Sequence, residues 1–159
     1  MILVADCSAL IALSTCKSLY LLDALFGVVI VPETVLHEAT NSDKPEAESL
    51  RIYLEGKVRQ ADISGYVYLD GFADAGETEA MLLFKQVHAD KLLIDDKRGR
   101  KVAKINNIST IGSLGILLAA KQAGLITEIA TLIEQISSSL IYLSPELIQT
   151  VLDIAGEVA

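Results

Sequence analysis

Residues 1–13 run MILVADCSALIAL, and the reading of Asp6 within them decides the fold. ILVA at 2–5 is a short apolar run bounded by Asp-Cys-Ser, which predicts a buried strand. A carboxylate stands on its last rung, and apolar residues at helical spacing follow over 8–13. A strand that ends in an acid and turns into a helix is the opening of an α/β unit. In parallel sheets of that kind, side chains at the carboxyl ends of the strands line the site. Asp6 has two readings at this point: an N-cap for the following helix, or half of a metal site.

Working outward, residues 17–26 again carry apolar residues at helical spacing. GVVIV (27–31) is β-branched after a glycine and predicts a second buried strand. Pro32 predicts a helix start, with Glu33 near the positive end of the dipole, and ETVLHEAT runs out at NSDKP. KPEAESLRIYLEG (44–56) predicts a surface helix ending at Gly56. Residues 57–74 have no clear period and are expected to form a loop with a short turn. DAGETEAMLLFKQVHA (74–89) predicts a helix, KLLID (91–95) a third strand, DKRGRKVAKINN a short basic helix, and ISTIG (108–112) a fourth strand. SLGILLAAKQAG (113–124) predicts a helix closed by Gly124. Residues 126–157 give two helices around IYLSPE, with Ser144 as cap and Pro145 just inside the start. Strands alternating with helices imply an α/β fold, a mostly parallel sheet covered on both faces. No repeat, low-complexity tract or long linker divides the 159 residues, so one domain over 1–159 is expected. The helices of about 126–157 read either as ordinary core or as an appended interaction element.

Apolar residues make up 52% of the chain and charged ones 21%, which supports a full core and excludes global disorder. The N-terminus has no basic n-region and its apolar run breaks at Asp6, unlike a secretion signal. No stretch approaches the roughly 18 apolar residues of a membrane helix. The expectation is a cytoplasmic protein without a membrane partner, in which Cys7 and Cys16 stay reduced. Zinc is disfavoured. His37 and Glu38 open an HExxH pattern, but Asn41 fills the second histidine position. A net charge of −8 argues against a protein that coats nucleic acid. The positive charge is clumped, however: Lys97, Arg98, Arg100, Lys101 and Lys104 place five of the 13 basic residues in one eight-residue stretch.

Acids recur where strands end. Asp6 follows ILVA, Asp95 and Asp96 follow LLI, and Glu38 lies one short helix after VVIV. In the 74–89 helix, stepping about 100° per residue, Glu77 falls among Ala80, Met81 and Phe84, the face that must turn inward. Glu79 falls about 160° away and is expected to be solvated. Glu38 falls on the row of Val31 and Val35, at the edge of an apolar face. Each acid has a plain structural reading: Asp6, Asp95 and Asp96 as helix caps, Glu38 and Glu77 as snorkelling or capping acids, and the basic run as a solvated helix face. Together they suit one cleft. Carboxylates in apolar surroundings must be protonated, paired or metallated. Oxygen-only ligands favour Mg²⁺ or Mn²⁺, which leave room for water and phosphate.

These segments are also familiar. VADCSALIAL with Asp6, VPETVLHEA with Glu38, DAGETEAMLL with Glu77 and KLLIDDKRGRKVA with Asp95 and Asp96 resemble the PIN-domain ribonucleases, including the VapC-type toxins of toxin–antitoxin modules. GSLGILLAAKQAGLI and the C-terminal SPELIQTVLDIAGE extend the likeness over nearly the whole chain. The resemblance is weakest over 41–73. It implies a three-layer α/β/α fold with a central parallel sheet and Mg²⁺- or Mn²⁺-dependent hydrolysis of RNA. It implies metal held by Asp6, Glu38, Glu77 and Asp96 (or Asp95), a homodimer, and a small antitoxin partner. Arg98 and Lys101 are the candidates for RNA backbone contacts. In many relatives the last acidic motif is Thr/Ser-x-Asp. Here Ile94 stands in the hydroxyl position, and strand alternation points Asp95 and Asp96 to opposite sides, so both stay in the candidate catalytic set. The rival reading is a catalytically degenerate PIN-like module that binds or regulates. A metal-dependent phosphatase ranks lower, because Ser8 stands where a second aspartate would be needed.

Overall fold

The computed structural model describes residues 1–41, 43–65, 67–68 and 74–158. Five strands form one sheet: β1 (Ile2–Ala5), β2 (Val28–Pro32), β3 (Val58–Arg59), β4 (Lys91–Leu93) and β5 (Thr110–Ile111). Their order is β3-β2-β1-β4-β5, with every neighbouring pair parallel. The connecting helices are α1 (Cys7–Thr15), α2 (Tyr20–Phe26), α3 (Glu33–Thr40), α4 (Pro45–Tyr53), α5 (Ala75–Val87), α6 (Lys97–Ile105) and α7 (Ser113–Gln122). Helices α8 (Ala130–Ser137) and α9 (Pro145–Ala155) follow.

Strand alternation sorts the core into two layers. Leu3, Ala5, Val29, Val31 and Leu93 face one side, packed with buried residues of α1, α2, α4 and α7. Val4, Ile30, Leu92 and Ile94 face the other side, against Ala80, Met81 and Leu83 of α5 and Val102 and Ala103 of α6. The result is a three-layer α/β/α fold of the kind the sequence predicts. Ile129, Ile133 and Ile136, with Val151 and Leu152 of α9, join the first of these clusters. Glu157 ties the end of the chain to this layer, accepting from the backbone N–H of Ile129 and Ala130 and from Lys121 Nζ at 2.8 Å.

Several expectations are corrected. Pro32 ends β2 in extended conformation (φ −72°, ψ 160°), so α3 begins one residue later, at Glu33. The aperiodic 57–74 segment contains β3, which at two residues is too short to show a period. Residues 66 and 69–73 of that segment lie outside the described residues. The 44–56 helix is more than a surface element: Leu50 and Leu54 are fully buried. Among the described residues, no single helix is long and apolar enough to cross a membrane.

Candidate carboxylate site

Asp6 occupies the next rung of β1, and alternation turns it to the side of Val4, toward α5 and α6. Its N–H donates to Leu93 O at 2.9 Å, extending the β1–β4 pairing by one step. The residue is 2% exposed. It stands at the N-cap position of α1, yet its side chain makes no capping hydrogen bond to the helix. Among the described residues, its buried Oδ1 has no hydrogen-bond partner. The plain cap reading therefore fails. Burial pushes the Asp6 pKa up to about 7, the Cys7 backbone N–H opposes this, and the charges of Asp74, Glu38 and Asp96 add to the rise.

Glu77 comes to the same place from α5. Helical phase puts it with Ala80 and Met81, both fully buried, and it is itself 7% exposed. Its Oε2 is a second buried oxygen without a partner among the described residues. Burial raises its pKa to about 8, with further contributions from Asp6, Asp74, Asp96 and Glu38. A carboxylate reaches this position only because residue 99 has no side chain: a Cβ on Gly99 would lie 2.6 Å from Glu77 Oε2 and 2.6 Å from Ile94 Cδ1. Gly99→Ala is therefore expected to displace Glu77 or the first turn of α6. The overpacking should cost about 1–3 kcal/mol, read by thermal melts of the variant against the wild type.

Glu38 is exposed on α3, at the rim and not under an apolar face. Its Oε1 and Oε2 lie 2.6 and 2.8 Å from where a Gly76 Cβ would stand. The carboxylate thus sits on the first turn of α5 and takes a hydrogen bond from the Gly76 N–H, while partial burial and Asp74 raise its pKa. The positive ends of α5 and α6 hold negative charge here.

The two consecutive aspartates separate as alternation requires. Asp96, on the side of Ile94, caps α6 by accepting from Gly99 N at 2.6 Å, and its charge raises both Asp6 and Glu77. Asp95 turns to the other side, where Oδ1 accepts from Ser113 N at 2.6 Å at the start of α7. Asp95 does not join the other four acids. Ile94, in the hydroxyl position, is fully buried against Gly99. Its contribution there is packing, with no hydrogen bond to offer the acid.

Two further acids border the site. Asp74 caps α5 through Oδ1 to Glu77 N at 2.9 Å, and its charge raises Asp6, Glu38 and Glu77. The sequence carried a signal for it, because Asp74-Ala75-Gly76-Glu77 has the spacing of a capping box. Glu79, expected in solvent, is half-buried and accepts a hydrogen bond from Thr34 Oγ1 of α3. Arg98 and Lys101 are exposed on α6. With buried Gly99, Val102 and Ala103 defining the inner face, Lys97, Lys101 and Lys104 form the outer one.

Whether a divalent ion fits follows from the donors. Two buried oxygens without partners, in a set made only of carboxylates, suit a hard cation. Among the described residues no three acid, histidine or cysteine side chains converge closely enough to ligate one ion directly. An ion here would be held by one or two carboxylates, with waters linking it to the rest.

Comparison with known proteins places the chain by family. A family model described as PIN domain matches residues 2–157, nearly the full length, and the fold it denotes is of the nuclease type. No curated protein matches the chain.

Proposed function

The chain belongs to the PIN-domain family, and from that premise we propose that it is a Mg²⁺- or Mn²⁺-dependent endoribonuclease hydrolysing RNA phosphodiester bonds. The observation that carries this reading is the pair of buried, unpartnered carboxylate oxygens, Asp6 Oδ1 and Glu77 Oε2, each on a group whose pKa is raised to near or above neutrality. A fold gains nothing from two such groups side by side unless a cation or a proton offsets them. Asp6 and Glu77, with Asp96 and Glu38, would hold the ion directly or through water. When bound, the ion lowers the pKa of water and offsets charge developing on the phosphate.

The rest is the work of the chain. Glu38, at the exposed rim and held by the Gly76 N–H, would accept a hydrogen bond from an attacking water and orient it. Arg98, two residues after Asp96, would hold a backbone phosphate beside the acids, and Lys101, on the outer face of α6, would meet the strand further along. Without a cation the same acids repel RNA, so productive binding and cleavage share one requirement. In the same reading the protein is the toxin of a two-component module, acting in the cytoplasm as a homodimer and held in check by a small antitoxin.

The test is incubation with single-stranded RNA and Mn²⁺ or Mg²⁺. Cleavage is expected, and a chelator in excess should stop it. Neither Mn²⁺ binding nor cleavage at millimolar metal would make the chain a binding module and overturn the proposal.

A further inference from the structure

We infer that the cavity beside the carboxylate site is a pocket for one guanine base of single-stranded RNA, which rests on the ribonuclease reading and adds base selection to it. The cavity has a volume of about 480 Å³, within the roughly 300–1,000 Å³ of small-molecule sites and sufficient for one ring system with its sugar. Its floor is one face of α1: Ser8, Ile11 and Thr15 line it at spacings of three and four. That face begins two residues after Asp6. One wall is the start of α4 at Pro45, and the other is the α8–α9 connection, including Leu140 and Ile141. Asp95 also lines it, and Asp95 is chain neighbour to Asp96. Lys44 of the lining acts on Cys7 together with Asp6 and Glu38, so a nucleotide seated here would lie within reach of the acids proposed to cleave it.

The chemistry of the lining selects the ligand. Ile11, Pro45, Leu140 and Ile141 offer apolar surface to a planar ring. The wall is held by its own bonds: Ser139 Oγ donates to Ile136 O at 2.5 Å and accepts from Ile141 N at 3.1 Å. Lys44 and Glu46, also in the lining, carry opposite charges, and the Arg100 guanidinium lies near Asp95 beside Gly112, so no net positive charge is left over to hold a phosphate. Asp95 Oδ1 is used by Ser113 N. Among the described residues, Asp95 Oδ2 and the Ser8 hydroxyl take no hydrogen bond. Guanine answers this pair best. Its N1–H and N2–H donate side by side, one to Oδ2 and one to the lone pair of Oδ1 that Ser113 N leaves open, and its O6 accepts from a hydroxyl, three bonds where adenine or cytosine makes two. Uracil would turn a carbonyl toward Asp95, and adenine and cytosine offer one donor each beside an acceptor. Apolar pockets that take an unstacked base by its edge are the usual means of reading single-stranded RNA.

The test uses the full chain, Mn²⁺, and short uridine-tract RNAs carrying one guanine, inosine or adenine. Cleavage is expected at a fixed distance from guanine, with kcat/KM about tenfold above the inosine RNA, which lacks the N2 amine. In Asp95→Asn the amide oxygen must still face Ser113 N, so an NH₂ replaces the free acceptor, and the guanine preference should collapse. Ser138→Trp, at an exposed position lining the cavity, should fill it and remove the preference without touching Asp95 or the carboxylate site. Metal-dependent cleavage with no guanine preference, or a preference that survives Ser138→Trp, overturns the pocket and leaves the nuclease reading standing. No cleavage of any RNA overturns both. NMR shifts of pocket residues with arginine amide but not with guanosine would assign the cavity to a basic protein segment, and that too overturns the inference.

Discussion

Asp6→Asn is expected to reduce RNA cleavage by more than about 100-fold, the range seen when even an outer-shell partner of a metal is lost. The same substitution should make the metal-free protein more stable at pH 8. The two effects have one origin. Asp6 is 2% exposed, its Oδ1 has no hydrogen bond, and its charge is opposed by Glu38, Asp74 and Asp96. At pH 8, above its pKa of about 7, the folded state must carry this charge or bind a cation. Asparagine keeps the shape and removes the charge, so folding no longer bears that cost, while the proposed ion would lose its most buried carboxylate. An ordinary structural acid behaves in the opposite way: its loss destabilises the protein and leaves catalysis alone. Retained cleavage in Asp6→Asn, or a lower melting temperature than the wild type without metal at pH 8, would refute the assignment of Asp6.

The parts of the site legible in the sequence are those fixed by periodicity. Asp6 is legible as an acid on the last rung of an apolar strand, and period 3.6 places Glu77 on the buried face of α5, because its neighbours in phase are apolar. Asp95 and Asp96 could not be told apart from the sequence. Alternation says only that they diverge, and it takes the position of α7 to show that the Ser113 N–H captures Asp95. Glu79 misled for a related reason: phase on its own helix turns it from the core, but Thr34 of α3 meets it there. Asp74 passed unnoticed because a capping acid before a helix stands out only when other carboxylates, here Asp6, Glu38 and Glu77, fold near it. β3 was missed because a two-residue strand has no pattern. The cavity beside Asp95 has no sequence signature at all, since it is assembled from α1, the start of α4 and the α8–α9 connection.

The stability of the metal-free protein is expected to fall as pH rises from about 4 to about 8, the reverse of the usual behaviour of paired carboxylates. Asp6 has a folded-state pKa of about 7 against an ordinary 3.8, and Glu77 about 8 against 4.5. Both are raised chiefly by burial. Between the unfolded and folded values the folded state binds more protons than the unfolded chain, so the slope of unfolding free energy with pH is negative. The stabilisation is fully present below about pH 4 and is lost as pH passes through 7 to 8. For the two acids together, which share one field and do not add, the loss amounts to about 2–4 kcal/mol, or about 5–15 °C in melting temperature for a chain of this size. A divalent cation competes with those protons. Saturating Mn²⁺, at about 100 times its Kd, should therefore add about 2.7 kcal/mol at pH 8 and little at pH 5, where the carboxyls are protonated. Thermal melts of the wild type across this range, with chelator and with Mn²⁺, give two curves that converge at low pH and separate above pH 7. Parallel curves, or a metal-free protein that gains stability from pH 5 to pH 8, would mean that Asp6 and Glu77 carry their charge at no cost to the fold. The physical case for a cation between them would then be gone.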